Sequence, residues 1–234
     1  MPIGSNEEWG RANDACARGG MDAVLLSSLA DVTYVSGFEV PIPIGAGSEF
    51  AYGIPLALCT VGDPHSWLVV SDGQGPKARQ ESRLDELVTY DSFTHLHAMD
   101  SAASYLAAIR GALAAAGLRS GRGTLGIQAR TLPFAVARLI QEEFPDLKLV
   151  EAGPALLEAR AIKTAREIEL LKRASHVADV GHNTLARLAQ TAGLDEFDMW
   201  AEITARMFET AGHEVPVVGE LVTGERTRTV EYPN

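Results

Sequence analysis

The side chains whose type and spacing could do chemistry in this 234-residue chain are its histidines, its adjacent acids and a few serines. His95 and His97 stand two apart, which on a strand would put two metal ligands on one face. No third ligand with suitable spacing is near, so they read as ordinary surface or half-buried histidines. His176 and His182 are six apart on a predicted helix and fall on different faces. His213 sits at a predicted helix end, where a cation suits the dipole. The pairs Glu142-Glu143 and Asp195-Glu196 are neighbours on helices and so face apart. Solvated faces and helix capping explain them better than acid–base catalysis. Ser27, Ser28 and Ser36 lack the strand-to-helix elbow that exposes a nucleophilic serine.

Gly121-Arg122-Gly123-Thr124-Leu125-Gly126 matches the dinucleotide pattern G-x-G-x-x-G. That pattern binds pyrophosphate when it follows a strand and opens a helix. Here a helix precedes it and a strand follows. It reads as a helix-to-strand connection, with no nucleotide expected.

Composition narrows the classes further. Hydrophobic residues make up 46% and charged residues 22%, enough apolar material for a core without staples. The net charge of −11 and pI near 5.0 oppose binding to phosphate backbones and anionic membranes, so neither nucleic acid nor membrane is expected as a partner. Cys16 and Cys59 lie far apart and form no C-x-x-C unit, which argues against a disulfide scaffold or a thiolate zinc site. The amino terminus shows no basic start followed by an apolar run, and no stretch reaches the ~20 residues that span a bilayer. A soluble, cytoplasmic protein is expected.

The elements that would carry these residues alternate over 1–152. Residues 7–18 read as a helix stopped by Gly19-Gly20, 21–26 as a buried strand, and 32–35 as extended chain closed by Ser36-Gly37. A Gly- and Pro-containing loop covers 38–55. Residues 56–61 and 66–70 read as a hairpin, 87–93 as a strand, 101–116 as a helix with Ser101 as N-cap, 124–128 as a strand, 131–144 as a helix, and 147–151 as a last strand. This is an α/β layer with a mixed sheet flanked by helices. A boundary falls near Ala152-Gly153-Pro154, beyond which the pattern is helical. Thr164 and Glu167 form a capping box, followed by Ile168, Leu171, Ala174, Ser175, Ala178 and Leu185 on one face. Asp195 caps a further helix that Gly212 stops, and 215–218 and 220–223 read as strand.

Four segments resemble a known family in register. Arg160-Ala161-Ile162-Lys163-Thr164-x-x-Glu167-Ile168 is similar to the "R-x-x-K-(S/T)-x-x-E-(I/L)" segment that opens the catalytic domain of the creatinase and aminopeptidase P (X-Pro peptidase, prolidase) superfamily of pita-bread metallohydrolases. Gly193-Leu194-Asp195-Glu196 is similar to its "G-x-T-E", and Val222-Thr223-Gly224-Glu225-Arg226-Thr227 to its "x-x-S-G-x-N-(T/S)". Upstream, Asp31-Val32-Thr33-Tyr34-Val35-Ser36-Gly37-Phe38 resembles "N-x-x-Y-L-(S/T)-G-F" of the creatinase-type amino-terminal domain.

The resemblance implies a creatinase-type amino-terminal domain over 1–152, then the first helices and strand of an incomplete pita-bread domain over 153–234. In the family that second domain holds two divalent metals such as Mn, Co or Zn with two Asp, one His and two Glu. The metals activate water for C–N hydrolysis of X-Pro peptides or small compounds such as creatine. The chain ends before the first expected Asp, so no catalytic residue, metal ligand or cofactor is expected within 1–234, and this stretch alone is expected to be inactive. A full-length parent is expected to be a homodimer acting on a small-molecule or peptide substrate. Aligned on Gly224 and Pro233, Glu231 takes the place of a substrate-pocket histidine carried by many members. A carboxylate does not donate a hydrogen bond at neutral pH, so Glu231 suits a cationic or amidine-like substrate better than a prolyl peptide. The rival expectation is a non-catalytic pseudo-enzyme, a dimerisation or protein-binding module whose acidic charge would meet basic partners.

Overall fold

The computed structural model describes residues 7–40, 52–62, 65–118, 123–217 and 221–229. It divides into two compact units, Met1–Ile162 and Lys163–Asn234. The first contains helix α1 (Glu7–Arg18), strand β1 (Ala23–Leu26), α2 (Leu29–Ser36), β2 (Leu56–Thr60), β3 (Ser66–Ser71), α3 (Gly75–Glu81), β4 (Glu86–Tyr90), α4 (Ser101–Ala115), β5 (Gly123–Ile127), α5 (Phe134–Glu143), β6 (Leu147–Glu151) and α6 (Gly153–Ala161). The second contains α7 (Ala165–Leu188), α8 (Glu196–Ala211) and a 3-10 turn at Gly224–Arg228.

The six strands form one mixed sheet in the order β4-β3-β2-β1-β5-β6. β1, β2 and β3 pair antiparallel, while β3–β4, β1–β5 and β5–β6 are parallel. β1 and β3 are buried along their whole length, as strands covered on both faces must be. Alternation along β1 sends Val24 and Leu26 to one face and Ala23 and Leu25 to the other. The first face is covered by α1, α2 and α6 through Trp9, Ala12, Cys16, Val35 and Leu156. The second is covered by α4 and α5 through Tyr105, Ile109, Leu113, Val136 and Ile140. Each fully buried Leu or Ile contributes roughly 1.5–3 kcal/mol relative to exposure.

Residues 32–35, expected to be extended from their β-branched and aromatic types, are helical. Two caps override that propensity. Ser28 Oγ accepts from Asp31 N at 3.1 Å, and Gly37, at φ +73°, donates its N–H to Thr33 O at 2.8 Å. Asp100 rather than Ser101 caps α4, its Oδ1 accepting from Ala103 N at 2.9 Å. Helix α5 starts only at Phe134: Pro133 is its N-cap, and a proline disfavours helical backbone at the residue before it. Helix α3 forms between β3 and β4, a stretch for which the sequence suggests no element, with Pro76 in its first turn. Helix α6 lies beyond the boundary expected at 152–154, yet it belongs to the first unit. Its Leu156 is 1% exposed and shares an apolar cluster with Trp9 and Cys16 of α1.

In the second unit, α7 opens on the expected capping box: Thr164 Oγ1 accepts from Glu167 N at 3.1 Å and Glu167 Oε2 from Thr164 N at 2.8 Å. Gly181 lets α8 approach closely, since a Cβ there would lie 2.8 Å from Met207 Sδ. The expected apolar face of α7 is covered only towards its end. Leu188 is buried with Met199, Ile203 and Leu221, whereas Ile168 and Leu171 are exposed. Of the residues expected as strand, 215–217 and 221–223 carry no regular secondary structure, and 218 and 220 lie outside the described residues. Among the described residues, no helix is long and apolar enough to cross a membrane.

Candidate functional site

In parallel α/β sheets a ligand is held outside the carboxyl ends of adjacent strands whose following helices lie on opposite faces. β1 and β5 satisfy that rule: β1 leads to α2 on one face, β5 to α5 on the other. The crevice between them is taken by the protein itself. Gln128, directly after β5, accepts from Ser27 N at 2.7 Å and Ser28 N at 2.8 Å through Oε1. These are the backbone amides at the head of α2 that a phosphate would otherwise use. Gly126, the last glycine of the G-x-G-x-x-G pattern, lies within β5, where a Cβ would come within 2.6 Å of Met21 Sδ and 2.9 Å of Val24 Cγ1. It serves packing between strands and helices. Gly121 and Arg122 lie outside the described residues.

A buried polar cluster sits beside Gln128. Asp31 Oδ2 accepts from Gln128 Nε2 at 2.6 Å and from Ser28 Oγ at 2.7 Å. Asp31 Oδ1 accepts from Arg160 Nη1 at 2.8 Å, and that guanidinium lies 6.0 Å over the Tyr34 ring. Two segments singled out in the sequence, one at 31–38 and one opening at Arg160, therefore meet in space. A second buried pair, Arg83 Nη1 to Glu8 Oε2 at 2.6 Å, presses on the same helix, with Arg83 Nη2 donating to Tyr34 O at 3.2 Å.

The second unit shows the same kind of junction. Asp195 caps α8, accepting from Asp198 N at 2.8 Å through Oδ1. Its neighbour Glu196 reaches the 221–229 segment. Its Oε1 accepts from Thr223 N at 2.5 Å and from Thr223 Oγ1 at 3.1 Å, and its Oε2 pairs with Arg226. Glu196 thus fixes the turn that leads towards Glu231. Glu231 itself lies outside the described residues. Beside this turn, Gly181, His182, Trp200, Ile203, Met207 and Leu221 line an apolar cleft of about 310 Å³.

The remaining candidates are separate. His95 and His97 are exposed between β4 and α4, and His176 is exposed on α7. His182 donates through Nδ1 to Ala178 O at 2.9 Å, and His213 through Nδ1 to Glu214 O at 2.9 Å. Ser36 Oγ donates to Val32 O at 2.6 Å, and Ser27 Oγ shares a hydrogen bond with Thr131 Oγ1 at 2.7 Å. Glu143 binds Arg110 with both oxygens at 2.6 Å, and Glu142 pairs with Arg138 at 3.6 Å. Cys16 and Cys59 are buried free thiols, and burial pushes Cys16 up to about 11 and Cys59 higher. Among the described residues there is no group of three or more His, Cys, Asp or Glu that could hold a metal ion.

The creatinase/prolidase N-terminal domain family matches residues 9–162. The chain belongs to this family. Creatinase of Bacillus sp. (strain B-0618) is 25% identical over 219 residues, covering 92% of this chain and 48% of that protein. Prolidase from Pyrococcus furiosus superposes with a TM-score of 0.62 at 20% identity, over 86% of this chain and 52% of that one. The Xaa-Pro dipeptidase from Bacillus anthracis gives 0.60 at 19%, over 87% and 48%. The chain thus spans about half the length of the relatives it matches, and at these identities the solved structures show the fold alone. Within the creatinase/prolidase frame, the family match ends where the first unit ends, at Ile162.

Sequence reasoning missed Asp31, Gln128 and Glu196. Gln128 carried no signal, because an isolated glutamine after a strand matches no pattern. Asp31 opens the 31–38 segment, where the related motif has asparagine, and that departure is the available clue. Glu196 reads with Asp195 as a capping or solvated pair, although only Asp195 is needed for the cap.

Proposed function

We propose that the chain is the amino-terminal part of a metal-dependent C–N hydrolase of the creatinase and X-Pro peptidase type. On this reading the first unit is the creatinase-type amino-terminal domain, and Lys163–Asn234 opens a pita-bread catalytic domain. The observation that carries the reading is the family match over 9–162, together with a creatinase alignment that continues over 92% of the chain. The family's chemistry uses two divalent metals. On this reading the metal ligands belong to a longer parent, and residues 1–234 alone are inactive. The parent is a homodimer acting on a small C–N substrate. Glu231, in place of a pocket histidine, favours a cationic or amidine-like group over a prolyl peptide.

The test is intact mass, metal content and hydrolysis of creatine and an X-Pro dipeptide by the natively expressed protein. A mass well above 25.0 kDa, about two divalent ions per chain and turnover of either substrate support the reading. A native mass of 25.0 kDa with no bound metal and no turnover overturns it in favour of a binding module.

A further inference from the structure

The last turn of α6 has an unusual set of partners. A helix leaves its final carbonyls without intrahelical donors, and they are commonly met by a left-handed glycine just past the end. Ile162 follows α6 in an extended conformation instead, at φ −100° and ψ 117°. The donors come from other helices. Tyr34 Oη of α2 donates to Ala159 O at 3.3 Å. Arg11 Nη1 of α1 donates to Ile162 O at 2.6 Å, and Arg11 is itself held by Glu7 Oε1 at 2.8 Å. Between these two carbonyls, Arg160 is held by Asp31 Oδ1 at 2.8 Å. Cations beside a helix carboxyl end also meet the negative end of its dipole.

We infer that Arg11, Asp31, Tyr34 and Arg160 form a latch that fixes where the chain leaves the first unit. Arg160 is then a positioning residue: it holds the last turn of α6 against α2 within the first unit, and it does so independently of any activity in a parent. Asp31 is buried and Arg160 half-buried, so the pair is less screened than a surface pair. Opening the latch loosens the carboxyl end of α6, directly before Lys163, and none of the four residues lies on a strand.

The test is limited digestion of the full chain with a lysine-specific protease. Lys163 follows the latch, while Lys77 and Lys148 report on the body of the first unit. Arg160→Met should raise cleavage after Lys163 about tenfold, the factor for one charge-assisted bond worth about 1.4 kcal/mol, with a clearly smaller rise after Lys77 and Lys148. Arg11→Met should act in the same direction, and Arg160→Lys should recover part of the protection. Unchanged cleavage after Lys163 overturns the latch. An equal rise at all three lysines overturns it too, since the pair would then stabilise the whole unit and not its exit.

Discussion

Gln128 Nε2 donates to Asp31 Oδ2 at 2.6 Å, and the direction of that bond is forced from both sides. Gln128 Oε1 is committed to Ser27 N and Ser28 N, so its amide cannot flip. Asp31 receives Gln128, Ser28 and Arg160, so every partner at its carboxylate is a donor. An asparagine, the residue of the related motif, would turn its own NH2 against one of them. Asp31→Asn is therefore expected to cost about 1–3 kcal/mol, the penalty for an unmet buried polar group. Adding Gln128→Glu reverses the polarity of the bond, letting a glutamate accept from Asn Nδ2. The double variant should recover at least half the loss in urea denaturation. A double variant less stable than Asp31→Asn would contradict this account.

Gly37 carries two constraints at once. Its φ is +73°, and a Cβ would lie 2.5 Å from Arg83 Nε. That guanidinium cannot retreat without loosening its bond to buried Glu8. Gly62, at φ +89°, has nothing within 4 Å of a Cβ. Gly62→Ala should cost about 1 kcal/mol from backbone strain alone, and Gly37→Ala about 2–4 kcal/mol. Thermal denaturation of the two variants side by side checks the difference.

Asp72 links the end of β3 to the segment before α4. The Ser92 hydroxyl, donating at 2.6 Å, holds the Asp72 carboxyl below the usual carboxylate range; the Ser92 and Gly73 amides add to this and slight burial opposes it. A depressed folded-state pKa contributes stability that is full above the unfolded value, about 3.9, and is lost as pH falls through the folded one. The Tm advantage of the natural protein over Asp72→Asn should be present at pH 7 and vanish on acidification below that value. An advantage that grows on acidification would reverse the sign.

The two thiols should be silent in the folded protein. Burial raises Cys16 to about 11 and Cys59 further, so almost no thiolate exists at pH 8, and neither sulfur is exposed. Labelling with a thiol reagent at pH 8 should proceed only at the rate of unfolding and reach both cysteines in denaturant. Rapid labelling of one thiol in native buffer would place it on an accessible surface.

Much of this architecture was legible in the sequence, because its signals are local. The short apolar runs of 56–60 and 66–70 with turn residues between them, the Thr164–Glu167 box and the Asp195 cap all act within a few residues. The misreading of 32–35 shows where local propensity stops: Val32, Tyr34 and Val35 favour a strand in isolation, yet caps at both ends and burial against α1 and α6 make them helix. Helix α6 was hidden for a related reason, since Gly153-Pro154 resembles a linker until the helix it opens is seen packed on α1. The polar cluster was illegible because its members lie about a hundred residues apart and no single one forms a pattern.

The parallel pairing of β1 with β5 brings Ala23 beside Leu125, and the Arg160–Asp31 bond spans 129 positions. During synthesis the β1–β2–β3 meander can assemble as soon as it clears the ribosome, whereas β5, the other neighbour of β1, must wait for most of the unit to be made. The early meander therefore has an open edge along β1 for several seconds at ordinary elongation rates, about 5–20 residues per second. Nascent-chain crowding during that interval, more than the endpoint stability of the finished sheet, is where this topology is most exposed to mispairing with a second copy of itself.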